Sequence, residues 1–414
     1  MKKLLIISNN VLSYTNNNGK TILSFINGAE NLQIKQLYFS GEYPRVDGFD
    51  YFQISDKDII KGFANQHKRG RNLNSIKEND LKDDFSIRKK IGRNDITLLL
   101  RDCLWFKNWK SNNLVRWLDD FSPDSILFVA GDAIFPYSIC KYIVNRYKSK
   151  LTVYVTDDYI MPRKHENIIH RFRRFLIKKS LVDILSIAKN FYTISSLMSN
   201  KYREELGYDS YLAINMSDDL KDSSLKCENK DFIFTYAGSL YYGRDLILAQ
   251  IAQAIKRYND SSDGIKCRLE IYSNQILEGD ALAMLSIENA CAYKGSLNRD
   301  ELKIQFNKSD ALVFVESFNE EQIEKVKYSL STKVPEYLSL EKPILAVGPR
   351  DIASMEYLKD VSFCAYSENE ISLALNTMME DLEKRLVMAF CSRNKFLKKH
   401  NRETLQNVFL KTIV

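Results

Sequence analysis

Short apolar runs recur along the chain, each separated from the next by a segment of helical length. The runs of the first half are Lys3–Ser8, Ile34–Phe39, Ser125–Ala130, Leu151–Val155 and Asn190–Ile194. Those of the second half are Phe232–Tyr236, Cys267–Tyr272, Ala311–Val315 and Pro343–Val347. Runs of this length with helical connections are typical of buried parallel strands joined by βαβ crossovers. The pattern predicts an α/β chain with two doubly wound parallel sheets.

The segments between the apolar runs indicate where the chain divides into domains. The polar stretch Lys221–Lys230 separates the two series, and 414 residues suffice for two domains at roughly 100–200 residues each. We therefore expect domains at 1–215 and 216–395. The charge-dense stretch Asp56–Arg93 predicts a long loop with helical pieces. Helices are expected at Lys20–Ala29, Ile96–Leu118, Leu246–Tyr258, Val334–Leu340 and over most of 367–414.

Several classes of protein are excluded by what the sequence lacks. A spanning helix needs about 20 apolar residues, and no run approaches that length. The start resembles a signal peptide, but Ser8–Asn10 follow without a cleavage site, so we expect a cytoplasmic protein. Seven cysteines without a Cys-x-x-Cys pair predict neither a disulfide framework nor a zinc site. A net charge of +7 permits an anionic partner without naming one.

Familiar site motifs are absent or incomplete. Gly19-Lys20-Thr21 follows a strand, but Tyr14 stands where a phosphate-binding P-loop needs its first glycine. A helix start with a glycine still favours polar or anionic ligands. Asp56-Lys57-Asp58 has the spacing of a metal-binding carboxylate pair, although such pairs arise by chance in polar segments. The four histidines form no ligand cluster, and we expect no metal and no cofactor.

One candidate site follows the strand that opens the second half. Phe232–Tyr236 leads into Ala237-Gly238-Ser239-Leu240-Tyr241-Tyr242-Gly243-Arg244. Glycine lets the backbone approach a ligand closely, and arginine binds phosphate through several donors. The order of strand, glycine turn and arginine at a helix start therefore predicts a phosphate site.

A second candidate site lies at Ser331-Thr332-Lys333-Val334-Pro335-Glu336-Tyr337-Leu338. Ser331 or Thr332 can cap a helix, and Pro335 is tolerated only in a first turn. Lys333 then lies at the positive helix end, where a diphosphate is stabilised. Glu336, one turn further, can accept hydrogen bonds from ribose hydroxyls.

These two stretches carry a family resemblance. The Ala-Gly-Ser-Leu turn with its arginine and the stretch Ser331–Leu345 resemble bacterial glycosyltransferases of the GT-B fold, especially the retaining family 4. The resemblance covers nearly the whole chain and implies two Rossmann-like domains facing a cleft. It also implies that 396–414 forms a helix crossing back to the first domain. A hexosyltransferase of EC class 2.4 is expected, moving a sugar from a nucleotide donor to a glycan or lipid-linked acceptor.

The resemblance assigns roles residue by residue. Gly238, Ser239, Arg244, Ser331, Thr332, Lys333 and Glu336 would bind the donor, with Arg244 and Lys333 stabilising the leaving diphosphate. Asn18, Gly19 and Lys20 would face the reacting sugar. Many family members carry two glutamates with seven residues between them, but Tyr328 stands at the first position, and Glu316, Glu320, Glu321 and Glu324 lack the spacing.

A second departure from the family pattern lies directly after the strand Leu151–Val155. Some relatives place a histidine there, whereas this chain has Thr156-Asp157-Asp158. Asp157 and Asp158 could orient a sugar or acceptor hydroxyl, with Asp158 in a catalytic role. The alternative is a polar strand end or helix cap.

The segment 163–179 is dense in basic residues interleaved with apolar ones. A basic amphipathic helix can lie on anionic lipid, which predicts peripheral contact with the inner face of the cell membrane. A solvated helix packed on the core is the alternative, and no nucleic-acid-binding module accompanies the charge. We expect a role in bacterial surface polysaccharide or glycoconjugate assembly. The alternatives are a non-catalytic partner subunit with the same fold and an epimerase.

Overall fold

The computed structural model describes residues 1–14, 17–30, 32–62, 69–73, 94–224 and 230–414. Two compact units divide the chain. The first comprises Met1–Asn215 together with Thr404–Val414, and the second comprises Met216–Glu403. The chain therefore leaves the first unit once, at Asn215, and returns to it with its last residues.

The first unit is built on an eight-stranded sheet of order β4-β3-β2-β1-β5-β6-β7-β8. Neighbouring strands are parallel except β4, which pairs antiparallel with β3. The predicted doubly wound parallel sheet is confirmed. The strands are β1 Lys2–Ser8, β2 Leu32–Tyr38, β3 Asp50–Gln53, β4 Arg71–Asn72, β5 Ser125–Ala130, β6 Lys150–Val155, β7 Asn190–Thr193 and β8 Tyr211–Leu212.

Helices accompany the strands of this unit. They are α1 Asn17–Ile26, α2 Asp56–Lys61, α3 Asp95–Trp105, α4 Asn112–Phe121, α5 Phe135–Tyr147, α6 Ile168–Leu185 and α7 Ser196–Leu206. The single helix expected at Ile96–Leu118 is wrong, because α3 and α4 are separate. Lys107 adopts a left-handed conformation between them, and the Ser111 hydroxyl caps the start of α4. Of the stretch Asp56–Arg93, residues 63–68 and 74–93 lie outside the described part.

The second unit has a six-stranded, fully parallel sheet of order β11-β10-β9-β12-β13-β14. The strands are β9 Phe232–Ala237, β10 Cys267–Tyr272, β11 Cys291–Gly295, β12 Ala311–Val315, β13 Ile344–Val347 and β14 Phe363–Ala365. The central strand β9 and its neighbour β12 are almost wholly buried, so their apolar runs form the middle of the core. The second predicted parallel sheet is confirmed.

The first helix of the second unit, α8 Arg244–Ser261, follows β9. The others are α9 Gly279–Met284, α10 Arg299–Lys308, α11 Glu320–Val326, α12 Lys333–Ser339, α13 Ala353–Leu358, α14 Ile371–Glu380 and α15 Leu382–Lys399. Among the described residues, none of the protein's helices is both long and apolar enough to cross a membrane.

The closing segment 396–414 is not one helix. Helix α15 ends at Lys399, the buried His400 and the half-buried Asn401 follow, and a new helix, α16, runs over Arg402–Ile413. From Thr404 onward the chain belongs to the first unit. There the Phe409 ring lies 4.5 Å from that of Phe25 and 5.4 Å from that of Tyr192, centroid to centroid.

Candidate functional site

The turn after β9 depends on a glycine. Gly238 has a φ of +149°, and its N–H donates to the carbonyl of Tyr272 on the neighbouring strand (2.9 Å). A Cβ at this position would lie 2.0 Å from Lys333 Nζ and 2.3 Å from Lys333 Cε. The positive φ favours glycine at position 238, and a side chain there would also displace the flexible end of Lys333.

Lys333, the first residue of α12, is held by an aromatic residue of β9. Its Nζ donates to Tyr236 Oη (3.0 Å) and lies 4.2 Å from the centre of the Tyr236 ring. Tyr236 Oη in turn donates to the carbonyl of Ser239 (2.6 Å). Burial raises the pKa of Tyr236 far above its usual value, so the phenol stays neutral. The sequence analysis did not single out Tyr236, although it ends the strand before Ala237.

Arg244 forms a two-bond ion pair with Glu316. Arg244 is the first residue of α8 and follows Gly243, whose φ is +74°. Its Nε donates to Glu316 Oε2 (3.0 Å) and its Nη2 to Glu316 Oε1 (3.0 Å). The guanidinium carbon also lies 5.6 Å from the centre of the Tyr242 ring. This geometry fixes the guanidinium beside the glycine turn.

Glu316 connects the two cations electrostatically. It follows β12, and only 6% of its side chain is exposed. Burial raises the pKa of Glu316, and the charges of Arg244 and then Lys333 oppose that rise. Both cations thus lie within electrostatic range of this carboxylate. With two positive groups and one negative group, the cluster carries an excess positive charge that suits an anionic ligand.

The sequence analysis noted Glu316 only for its spacing and missed its partnership with Arg244. The two residues lie on different elements, 72 positions apart. The signal that could have found Glu316 is its place one residue beyond the buried run Ala311–Val315. A carboxylate directly after a central parallel strand lies at the edge where such sheets bind ligands.

The start of α12 differs in part from expectation. Thr332 occupies the N-cap position but makes no capping hydrogen bond through its side chain, because its backbone is already helical. Ser331 Oγ instead accepts from the Lys333 N–H (3.4 Å), and the Ser331 N–H donates to Ser354 Oγ (3.1 Å). Pro335 lies in the first turn, as predicted.

The other residues expected to bind the donor lie on α12 and in the turn after β9. Glu336 is half-buried on α12, and its backbone carbonyl accepts from Ser339 Oγ (2.7 Å). Buried Tyr337 accepts the Ala237 N–H through Oη (3.4 Å), which ties α12 to the end of β9. Ser239 is exposed, and its Oγ accepts from the Tyr241 N–H (3.2 Å).

A cavity of about 240 Å³ lies in the second unit, lined in part by the turn after β9 and by Asp245 of α8. Its lining includes two tyrosines, three leucines and two polar residues. The lining residues are Leu240, Tyr241, Tyr242, Gly243, Asp245, Gln275, Leu277, Ala281 and Leu285.

In the first unit, the residues expected at the sugar side come together at the ends of β1 and β6. Asn18, Gly19 and Lys20 lie in the first turn of α1. A Cβ at Gly19 would lie 2.4 Å from the Val11 carbonyl oxygen, so the helix start fits closely against the loop after β1. Thr156 Oγ1 lies 3.4 Å from Asn18 Oδ1 and 3.2 Å from Asp157 Oδ2.

Asp158 organises the loop after β6. Its Oδ1 accepts from the backbone N–H groups of Ile160 and Met161 (both 3.2 Å) and from Tyr202 Oη (3.1 Å). Burial raises the pKa of Asp158, and the two backbone hydrogen bonds oppose that rise. These contacts agree with the interpretation of Asp158 as a polar strand end that holds its loop.

The Asp-x-Asp stretch has structural partners on both carboxylates. Asp58 forms a capping box with Ser55 at the start of α2. Asp56 Oδ1 accepts from Arg101 Nε and Trp105 Nε1, both at 2.7 Å, and so joins α2 to α3. Within the described residues, no group of three or more metal-ligating side chains occurs.

The basic segment 163–179 uses part of its charge inside the fold. Buried Arg173 donates to the Asp132 carbonyl, and Arg174 forms a two-bond ion pair with Glu166 (both 2.8 Å). Helix α6 nevertheless leaves three large apolar side chains exposed, namely Ile168, Phe172 and Phe175.

No family model matches the sequence, and no curated protein sequence matches it. Solved structures of similar architecture include alpha,alpha-trehalose 6-phosphate synthase from Burkholderia multivorans. That match has a TM-score of 0.61 and 12% sequence identity, and it covers 100% of this chain and 96% of the other.

Two further matches carry ligands. An E. coli structure described as trehalose-6-phosphate bound with UDP-2-fluoro glucose matches with a TM-score of 0.61 and 12% identity, over 100% of this chain and 99% of the other. Anabaena HepE in complex with UDP and glucose matches with a TM-score of 0.59 and 11% identity, over 99% and 98%. Together with the two parallel sheets, this likeness over whole chains shows that the protein has the GT-B fold.

Proposed function

We propose that this protein is a glycosyltransferase that moves a hexose-type sugar from a nucleotide-sugar donor to an acceptor. The observation that carries the proposal is the pair of cations, Lys333 and Arg244, placed beside the glycine turn at the end of β9. Two solved proteins of this fold hold UDP with glucose or bind a UDP-sugar analogue. A diphosphate is the ligand that best matches two fixed cations next to a backbone it can approach closely.

We assign the donor-binding roles from the positions of the residues in the turn after β9 and at the start of α12. Gly238 and Ser239 form the turn that would approach the diphosphate, and Arg244 and Lys333 would neutralise it. Ser331 and Thr332, at the start of α12, would contribute polar contacts. Glu336, half-buried on the same helix, would accept hydrogen bonds from the ribose hydroxyls.

Charge development explains how these groups would act in catalysis. A nucleoside diphosphate gains negative charge as the glycosidic bond breaks. Fixed positive groups directed at that charge stabilise the transition state more than the ground state. Arg244, oriented by Glu316, and Lys333, oriented by Tyr236, need little reorganisation to do this, and the step as proposed uses no metal ion.

The acceptor side is proposed for the first unit. Asn18, Gly19, Lys20 and Asp157 would orient the reacting sugar or the acceptor hydroxyl, which must be held in line with the breaking bond. For Asp158 the contacts of Oδ1 favour a positioning role through the loop that carries Asp157.

A finer assignment rests on the sequence motifs. We propose a retaining, family 4-like enzyme of bacterial surface polysaccharide or glycoconjugate assembly, supported by the resemblance of Ser331–Leu345 to that family. A lipid-linked acceptor would place the protein on the inner face of the cell membrane. The exposed Ile168, Phe172 and Phe175 support such contact, and sedimentation with anionic vesicles tests it. We expect the parent protein to sediment with the vesicles and the variant Phe172→Ser/Phe175→Ser to lose that binding. Failure of the parent to sediment with the vesicles would contradict the proposed membrane contact.

One observation favours a second candidate, a non-catalytic partner subunit of the same fold. Arg244 already directs Nε and Nη2 to Glu316, so the guanidinium has an internal partner without any ligand. In such a subunit the ion pair would serve stability alone.

Thermal stability measured with nucleotides and nucleotide sugars separates the two candidates. Ligand at one hundred times its dissociation constant adds about 2.7 kcal/mol to the free energy of unfolding. We expect one donor class to raise the melting temperature of the parent, and Lys333→Ala and Glu336→Ala to abolish the rise. Lys256→Ala, an exposed lysine on α8, is the matched control. No rise with any nucleotide favours the partner subunit, and a rise that survives both substitutions excludes the proposed site.

A further inference from the structure

A buried glutamine of the first sheet faces the loop that follows β1. Gln36 stands on β2, which pairs with β1, and its side chain is fully buried. A buried amide needs its hydrogen-bond partners inside the protein, because leaving a buried donor or acceptor unpaired is costly. The partners of Gln36 therefore show which part of the chain it holds.

The Gln36 amide makes three hydrogen bonds to the end of β1 and to the loop after it. Its Oε1 accepts the Leu12 N–H (3.0 Å), and its Nε2 donates to Ser8 Oγ (2.8 Å) and to the Asn10 carbonyl (3.0 Å). Ser8 Oγ donates to the same Asn10 carbonyl (2.8 Å). One side chain thus fixes the backbone of residues 9–13, which we call the β1 loop.

The β1 loop supports the start of helix α1. A Cβ at Gly19 would lie 2.4 Å from the Val11 carbonyl oxygen and 2.9 Å from the Ser13 nitrogen. Gly19 is buried, so the first turn of α1 lies against the loop with no side chain between them. A shift of the β1 loop should therefore move Asn18 and Lys20, the neighbours of Gly19.

We propose that Gln36 is a positioning residue for the acceptor side of the reaction. Because it is fully buried, it acts through the β1 loop on Asn18, Gly19 and Lys20 and touches no substrate itself. The inference rests on the proposed function, in which these three residues orient the reacting sugar or the acceptor hydroxyl. Exact placement matters there, since a displacement of about 1 Å can slow a reaction roughly a hundredfold.

A second glutamine provides a matched comparison. Gln53 stands on β3, is buried, and donates from Nε2 to the carbonyls of Ser40 (2.9 Å) and Glu42 (3.0 Å). Its Oε1 accepts from Arg71 Nε (2.9 Å). Gln53 therefore resembles Gln36 in its burial and in its three hydrogen bonds, but it holds the loop after β2 and not the β1 loop.

Hydrogen exchange of the backbone amides tests the positioning without any substrate. Methionine is unbranched and close to glutamine in size, so Gln36→Met removes the three hydrogen bonds and keeps the bulk. We expect it to speed exchange in the β1 loop and in α1 by about tenfold, the effect of one net hydrogen bond lost. Gln53→Met should speed exchange in residues 40–46 and leave α1 as in the parent. Unchanged exchange of α1 in Gln36→Met, or an equal change in both variants, would overturn the proposal.

Donor hydrolysis tests what the positioning does for the reaction. The nucleotide sugar that raises the melting temperature of the parent is the substrate, and released nucleotide is measured. Water bonds to the anomeric carbon, the bond from that carbon to the diphosphate breaks, and the water proton passes to the solvent. We expect Gln36→Met to lower kcat roughly ten- to a hundredfold and Gln53→Met to keep the kcat of the parent.

The donor KM and the rise in melting temperature should be unchanged in Gln36→Met, because the proposed donor-binding residues belong to the second unit. An equal fall of kcat in both glutamine variants would mean that Gln36 supports stability alone. If no nucleotide stabilises the parent, or a bound donor releases none, the proposed transferase fails. The exchange rates of α1 then still decide whether Gln36 positions this helix.

Ser8→Ala keeps the test decisive if Gln36→Met does not fold. It removes one of the three hydrogen bonds of Gln36 and the bond from Ser8 Oγ to the Asn10 carbonyl. We expect the same pattern at smaller size, with faster exchange in the β1 loop and in α1. A variant whose α1 exchanges as in the parent while the β1 loop exchanges faster would overturn the proposal, because the helix start would then not depend on the loop.

Discussion

Lys333 Nζ lies in the space that a side chain at position 238 would need, only 2.0 Å from where the Cβ of a residue other than glycine would stand. Gly238 and Lys333 are far apart in sequence, yet a side chain at position 238 would displace the end of the Lys333 side chain. With glycine at position 238, the Lys333 ammonium lies 4.2 Å from the centre of the Tyr236 ring. Donor binding should therefore depend on Gly238 through Lys333 and not only through the turn.

Gly238→Ala should abolish the rise in melting temperature that a nucleotide donor causes. The new Cβ displaces the Lys333 ammonium, and the φ of +149° adds a strain of order 1–3 kcal/mol. Gly207→Ala is the matched control, because Gly207 also has a positive φ (+73°) but nothing within 4 Å of its Cβ position. Thermal melts with and without nucleotide compare the two, and an intact response in Gly238→Ala would contradict the expectation.

Glu316→Ala should lower the free energy of unfolding by about 3–5 kcal/mol. It leaves the partly buried guanidinium of Arg244 without its partner, and breaking a buried pair from one side has a cost of that size. Glu316→Gln keeps one acceptor and should cost less. Urea titrations measure both.

The double variant Arg244→Met/Glu316→Leu is the control for the pair. It removes both charges, so it should be more stable than Glu316→Ala alone. A loss below about 1 kcal/mol in Glu316→Ala would mean that water solvates the pair and that burial is not its main feature.

The central strands were predictable and the edge strands were not. A strand buried on both faces, such as β9 or β12, has a continuous apolar run that stands out in the sequence. The strands β11 (Cys291–Gly295) and β14 (Phe363–Ala365) lie at the edges of the second sheet and were missed. An edge strand has one neighbour, so few of its positions must be apolar.

The site residues divide in the same way into those that local sequence patterns predict and those that only the fold brings together. Gly238, Arg244 and Lys333 stand in recognisable local patterns of strand, turn and helix start. Glu316 pairs with Arg244 across 72 residues, and Tyr236 contacts Lys333 across 97. The Arg244–Glu316 pair forms because β12, which precedes Glu316, lies beside β9 in the sheet, whereas the Tyr236–Lys333 contact joins β9 to the start of α12. No local pattern encodes either neighbourhood.

Asp102→Asn should remove part of the pH dependence of stability. Burial raises the pKa of Asp102, opposed by the backbone N–H of Ile134 and then the charge of Arg173. The unfolded residue loses its proton near its ordinary pKa of 3.8, whereas the folded residue holds it to higher pH. Stability of the parent should therefore fall as pH rises from about 3.8 through the folded pKa, then level off.

The asparagine variant has no proton to lose at this position. Its stability relative to the parent should therefore increase across that same range of pH and stay constant above it. Urea titrations of both proteins from acid to neutral pH measure the difference. A difference that is flat with pH would mean that folding does not shift the pKa of Asp102, and a difference that falls as pH rises would mean that the fold favours the carboxylate.

Asp58→Ala should destabilise the protein without any dependence on divalent metal. Asp58 Oδ2 accepts the Ser55 N–H (2.7 Å), and Ser55 Oγ accepts the Asp58 N–H (3.3 Å), so the carboxylate closes the first turn of α2. Loss of such a cap costs about 1 kcal/mol. Urea titrations of parent and variant with magnesium and with a chelator should give that same difference under both conditions. If magnesium stabilised the parent and Asp58→Ala removed that effect, the Asp-x-Asp stretch would instead be assigned to metal binding. A cap formed only by Ser55 and Asp58 would not respond to magnesium.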